Sequence, residues 1–234
     1  MTSLAAQDVD QLGGRWSVLT RQKREHVRLD ELLHRLDGPA GDQQREVLTE
    51  INRLVFPHAF AEEAVLWPVI RRVLPDGDAL TRQVEEEHQQ VNELVASLEK
   101  EDLDPDTRSR IVARLVVVLR EDVRDEEDVL LPRLQEALEP AELRRLGIAW
   151  EAVRRISPTR PHPVVSRRPP GNALAALPLT VIDRTRDRLD QVARRLPAAR
   201  SPLTSVSRSL ARVAGVLEHS PAFRAGEHAG TSRA

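Results

Sequence analysis

Two eleven-residue phrases carry most of the chemistry this chain can do. "HAFAEEAVLWP" runs from His58 to Pro68, and "DVRDEEDVLLP" from Asp122 to Pro132. In each, a metal-binding side chain stands four positions before a glutamate: His58 before Glu62, and Asp122 before Glu126. Four positions is about one helical turn, so the members of each pair share a face. Two further phrases supply one histidine each. "EHVRLDELLHRLD" (Glu25 to Asp37) gives His26, and "EHQQVNELVASLE" (Glu87 to Glu99) gives His88. Imidazole and carboxylate together suit iron, manganese or zinc, and a carboxylate from each half can bridge two metals. The candidate metal ligands are therefore His26, His58, Glu62, His88, Asp122 and Glu126. A lone histidine in a helix is more often a surface or packing residue. Repetition in register lifts these four groups above that reading.

The elements that must position them follow from apolar periodicity. A first helix is expected over Trp16–Leu36, ending at "DGPAGD". A second spans Gln43–Val73, with Pro57 inside it as a kink. A third spans Ala79–Glu99. A fourth starts at Asp104 and Pro105, a good cap and first residue, and runs to about Leu131. The shorter "PAELRRLGIAWEAV" follows. The first and third helices match at an offset of 62 residues, the second and fourth at 64. A helix pair written twice implies an internal pseudo-two-fold axis. The expected fold is all-α: an antiparallel up-down-up-down four-helix bundle, a proline-rich linker and a C-terminal helical hairpin.

Neighbouring residues are read more plainly. Glu63 and Glu127 lie about 100° around the helix from the proposed ligands, toward solvent or salt bridges, with a supporting role at the metal left open. His34 reads as surface or as a support to the site. His162, His219 and His228 have no partner at ligand spacing. Trp67 and Pro68 are expected to end the helix and cap the core. Helix spacing assigns an apolar lining to Phe56, Phe60, Val65, Leu66, Val91 and Val129.

Composition bounds the rest. The 234 residues are 40% apolar and 31% charged, with no cysteine and no tyrosine. Disulfides, thiolate ligands, thiol redox partners and tyrosyl radicals are thereby excluded. The amino terminus does not read as a signal peptide, and "IVARLVVVL" is far too short to span a bilayer. A cytoplasmic, non-membrane protein is the expectation. Residues 1–150 carry 20 basic and 31 acidic side chains; residues 151–234 carry 15 basic and 6 acidic. The expected organisation is a metal-binding domain over 1–150, a Pro/Arg-rich linker over 151–172, and a basic helical tail over 173–234. The tail has no aromatic interleaving, so nucleic acid is the least supported partner and a protein partner the better one.

These phrases resemble the hemerythrin-like, or HHE cation-binding, family. Its members carry a histidine on the first helix, His-x-x-x-Glu-Glu with an aromatic and proline on the second, a histidine on the third, and His-x-x-x-Glu-Glu with proline on the fourth. The likeness covers about residues 16–145. The extension after it looks like that of bacterial members. The resemblance implies a non-haem di-iron centre that binds oxygen or nitric oxide, senses oxygen or redox state, or acts on peroxide. Asp122 departs from the pattern, because the fourth helix usually opens with histidine. A hard, anionic ligand there favours the ferric state and disfavours reversible oxygen carriage. The alternatives are two irons, manganese or zinc instead, or a single metal beside a decayed half-site. Whether the chain is an enzyme, with a peroxide- or oxygen-consuming activity, stays open. So does a regulatory reading, in which the centre is a switch or clip and the tail the output.

Overall fold

Ser17 starts the first long helix, its hydroxyl accepting the Leu19 N–H at 3.3 Å. In the computed structural model, which describes residues 2–36, 38, 41–99 and 103–228, α1 then runs Val18–His34. The rest of the bundle is α2 (Gly41–Ala61), α3 (Trp67–Val73), α4 (Gly77–Leu98), α5 (Pro105–Asp125) and α6 (Leu131–Ala137). Asp104 caps α5 by accepting the Thr107 N–H at 2.9 Å, with Pro105 in its first turn. Beyond lie α7 (Pro140–Arg155), α8 (Gly171–Arg195) and α9 (Arg200–Glu218). The described residues contain no strand, as an all-α sequence requires. Part of the expected "DGPAGD" stop and the last six residues of the tail lie outside the described residues.

The expected second and fourth helices each contain one wide turn. A π-helical turn over Glu62–Leu66 joins α2 to α3, and another over Glu126–Leu130 joins α5 to α6. Trp67 N–H donates to the Glu62 carbonyl and Leu131 N–H to that of Glu126, each five residues back. Proline explains the placement. Pro68 and Pro132 lack an N–H, and their rings crowd the carbonyl four residues earlier, which a widened turn relieves. Pro68 therefore opens α3 and does not stop the helix, a correction to the expected ending.

Apolar packing falls into two clusters along the bundle. One contains Leu32, Leu33, Ile51, Leu115 and Leu119. The other contains Leu19, Leu66, Trp67, Ile70, Leu131 and Trp150. The candidate ligands lie between them on every helix: His26 between Leu19 and Leu29, and His88 between Val84 and Val91. Close approach of α7 closes the second cluster. A Cβ at Gly147 would meet the Trp16 carbonyl oxygen at 2.0 Å, so only glycine fits there.

The C-terminal part packs on this body. Residues 157–170 form no helix, yet Thr159, His162, Ser166 and Arg167 are buried. Asn92 of α4 accepts the His162 N–H at 3.0 Å, and Gln89 donates to the Pro163 carbonyl at 3.0 Å. α8 and α9 form the hairpin. α8 begins at Gly171, with Pro178 inside it. Burial of Ala175, Ala176 and Leu179 outweighs proline's local penalty.

Candidate metal centre

All six candidate ligands come together. One donor atom from each of His26, His58, Glu62 and Glu126 lies within 4.8 Å of the others, and so do those of His88, Asp122 and Glu126. Glu62 directs Oε1 to His58 Nε2 at 3.1 Å and Oε2 to His88 Nε2 at 3.6 Å. Glu126 directs Oε2 to His26 Nε2 at 3.2 Å and Oε1 to His88 Nε2 at 3.8 Å. Asp122 Oδ1 lies 3.4 Å from His88 Nε2. Each glutamate thus presents one oxygen to each half of the cluster.

The three histidines are oriented from behind. His26 Nδ1 pairs with Glu127 at 2.9 Å, His58 Nδ1 with Glu25 at 3.1 Å, and His88 Nδ1 with Glu63 at 2.9 Å. Donation from Nδ1 to a carboxylate frees the Nε2 lone pair for a cation. Two of those lone pairs, on His26 and His58, face each other at 3.3 Å. Both oxygens of Glu62, one of Asp122 and one of Glu126 are buried with no hydrogen-bond partner. Such a concentration of unsatisfied acceptors is costly unless a cation satisfies it. The donor set fits a bound metal.

Electrostatics agrees. Burial pushes the His26 imidazole down, but hydrogen bonds to Glu126 and Glu127 more than offset this and raise it to about 9. His58 and His88 are likewise raised against the effect of burial, by Glu62 and Glu25 and by Asp122, Glu126 and Glu63. Burial and the Glu126 charge raise Glu62; burial raises Asp122, and the neighbouring carboxylates add to it. Glu126 is lowered despite burial, by the hydrogen bonds of His26 and His88. The pocket holds opposed charges that a multivalent cation can organise.

The family model described as the hemerythrin HHE cation-binding domain matches residues 17–134, half of the chain. The chain belongs to the hemerythrin HHE family. Cation binding is the family's shared property, and the matched span holds all six candidate ligands and the three glutamates behind the histidines. No curated protein and no solved structure matches the chain.

This hemerythrin-family site is asymmetric at one position. The repeat relates Glu25 to Glu87 and His58 to Asp122. Glu25 holds His58, but Glu87 has no imidazole to hold. It faces Asp125, and burial with the Asp125 charge pushes it up to about 7. Its Oε2 is buried without a hydrogen-bond partner.

Among the readings left open for Glu63 and Glu127, the structure shows salt bridging beside the site, to His88 and His26, and not solvent exposure. An offset of about 100° takes them off the central axis and into the seams beside His88 and His26. Val129, expected in the lining, is 43% exposed, while Phe56, Leu66 and Val91 are buried. Trp67 does cap the core, fully buried, and its ring also stacks on His88 at 6.3 Å between centroids. His34 is a surface residue that hydrogen-bonds the Asp30 carbonyl at 2.8 Å. His162, without a partner at ligand spacing, is buried between Asp183 and Glu218, at 3.0 and 2.9 Å.

Sequence reasoning also missed contributions from beyond the matched span. Trp150 of α7 stands edge-on to His58 at 5.4 Å between centroids. Arg154 lies 3.3 Å from Glu25, and Arg167 lies 3.5 Å from Glu63. The paired "EH" and "EE" doublets were the available signal for the supporting glutamates. Nothing local in the sequence marks Trp150, Arg154 or Arg167.

A cavity of about 290 Å³ reaches His26 and Glu127 from the surface between α1 and α5. Val27, Leu29, Leu33, Leu119 and Val123 make it largely apolar. Among the described residues no helix is long and apolar enough to cross a membrane.

Proposed function

We propose that this chain houses a non-haem di-iron centre whose small ligand is O2, peroxide or nitric oxide, in redox sensing or detoxification. The observation that carries this reading is that Glu126 belongs to both donor groups, while Glu62, a member of the first, also reaches His88 of the second at 3.6 Å. His26, His58 and Glu62 would hold one iron, and His88, Asp122 and Glu126 the other. Iron bound there supplies redox chemistry and an open coordination position. The protein's part is to exclude water, fix the imidazole tautomers through Glu127, Glu25 and Glu63, and admit small neutral molecules along the apolar cavity. Three carboxylates in the donor set favour the ferric state, so the reading leans toward oxidase- or peroxidase-type chemistry and away from reversible carriage. Residues 1–150 act as the metal-binding domain in this reading, 151–172 as the connection and 173–234 as the basic tail. The test is an optical titration of the iron-loaded chain with peroxide and with nitric oxide. Stoichiometric spectral change supports the reading; an inert spectrum with both would leave the iron a structural clip.

A second reading rests on Arg154 and Arg167. These side chains connect the C-terminal part to Glu25 and Glu63, and hence to two ligands. In that reading the state of the centre is relayed to the tail and to a protein partner. An Arg167→Ala variant with an unchanged iron reduction potential would argue against it.

A further inference from the structure

Away from the metal ligands, a cavity of about 560 Å³ lies between the bundle and the C-terminal hairpin. Among the described residues seven arginines line it, against the three acids Glu99, Asp187 and Asp190. The acids are largely spoken for. Asp187 takes Arg53 at 3.1 Å and Arg160 at 2.9 Å, and Asp190 takes Arg160 at 2.6 Å. Glu99 is divided between Arg160 at 3.6 Å and Arg186 at 3.8 Å.

Three guanidinium groups are left short of anions. Arg186 Nε is buried with no hydrogen-bond partner. Arg108 reaches only neutral acceptors, Gln44 Oε1 at 3.3 Å and the Leu98 carbonyl at 3.4 Å. Arg194 has no hydrogen bond or ion pair among the described residues. Burial and the nearby Arg160 charge hold Arg186 below the ordinary arginine range; burial and Arg45 do the same to Arg108. Crowded positive charge, partly buried at Arg186 and Arg108 and exposed at Arg194, favours a counter-anion.

We propose that this cavity binds a small polyphosphate anion through Arg108, Arg186 and Arg194. The planar guanidinium fork matches phosphate oxygens two at a time. The volume lies within the range of small-molecule sites. Three cations from two walls, α5 and α8, call for several linked charges, not one. Among the described residues no aromatic ring lines the cavity, which favours recognition of the phosphate chain over a stacked base. Arg108 belongs to the bundle while Arg186 and Arg194 belong to α8, so the bound anion cross-links the two.

The test is calorimetric titration of the full, metal-loaded chain with inorganic triphosphate and, separately, with adenosine triphosphate. Iron content is followed in parallel, because both anions chelate metal. One saturable site per chain with iron retained is expected. Arg108→Gln and Arg194→Gln should each weaken binding at least about tenfold, the loss of one charge-assisted contact. Arg72→Gln, on exposed α3, should leave it unchanged. Equal affinity for the two anions assigns the site to the phosphate chain alone, and tighter nucleotide binding to a nucleotide; both uphold it. Non-saturable binding, heat that tracks iron loss, or equal weakening in all three variants would overturn it. Neither Arg108 nor Arg194 is fully buried, so these variants keep the test open if Arg186→Gln fails to fold.

Discussion

His26 and His58 aim their Nε2 atoms at each other across 3.3 Å, each with a glutamate on its Nδ1. Neutral imidazoles so arranged bring two lone pairs together, and protonated ones bring two charges. Each of these states costs free energy that a cation between the rings removes, and in the singly protonated pair, where one Nε2–H donates to the other Nε2, the cation takes the place of the shared proton. Metal binding and folding are therefore linked. At about a thousand times its dissociation constant, a ligand adds ~4 kcal/mol. For a chain of this size that raises Tm by about 8–16 °C. Calorimetric scans of metal-free and iron-loaded protein check this, and equal Tm values would count against a cation-organised centre.

Glu63 and Glu127 occupy equivalent places in the repeat and hold His88 and His26 from behind. Glu63→Gln or Glu127→Gln keeps the shape but weakens control of the tautomer. Either change is expected to reduce metal affinity about 10–100-fold, read by competition with a chelator. Glu31→Gln on the exposed face of α1 should change nothing.

Asp122 and Glu87 form the position where the repeat departs from symmetry. Asp122→His would give Glu87 the imidazole that Glu25 has in His58. It also removes one negative charge from the donor set, so the reduction potential of bound iron should rise. Asp122→Ala should lower the iron content of the second group selectively. Redox titration and metal analysis of the two variants check both statements; an unchanged potential in Asp122→His would place Asp122 outside the coordination sphere.

His162 supplies a pH prediction away from the metal. Burial lowers its imidazole, but Asp183 and Glu218 more than compensate and raise it to about 9 from an ordinary 6.5. Its folded pKa exceeds its unfolded one, so its stabilisation is complete below about pH 6.5 and fades as the pH rises toward 9. A shift of this size corresponds to about 3 kcal/mol. Urea denaturation of wild type and His162→Asn should show a stability difference at pH 6 that narrows by pH 9. A difference independent of pH would refute the charged His162 latch.

The bundle and the gathering of the candidate ligands were legible because their signals are local. Apolar spacing, the Asp104–Pro105 start and the paired phrases all act within one or two helical turns. The supporting glutamates were visible, but their spacing left solvent, salt bridges and the metal all open as their setting. Rotation by about 100° reads as solvent exposure on an isolated helix, whereas in a four-helix body it leads into the next seam. Pro68 read as a stop, because the π-helical turn that accommodates it leaves no separate mark in sequence. Trp150, Arg154 and Arg167 reach the centre only through tertiary packing. The close contact at Gly147 and the anchoring of residues 157–170 on α4 create those approaches, and both are long-range in sequence.

The central claim is that two donor groups sharing Glu62 and Glu126 hold two irons. Iron quantification combined with X-ray absorption on the iron-loaded full chain tests it most directly. Two irons per chain with a resolved iron–iron scattering contribution is the predicted result. A single iron at saturation, with no such contribution, would contradict the account and leave Asp122 as the mark of a lost half-site.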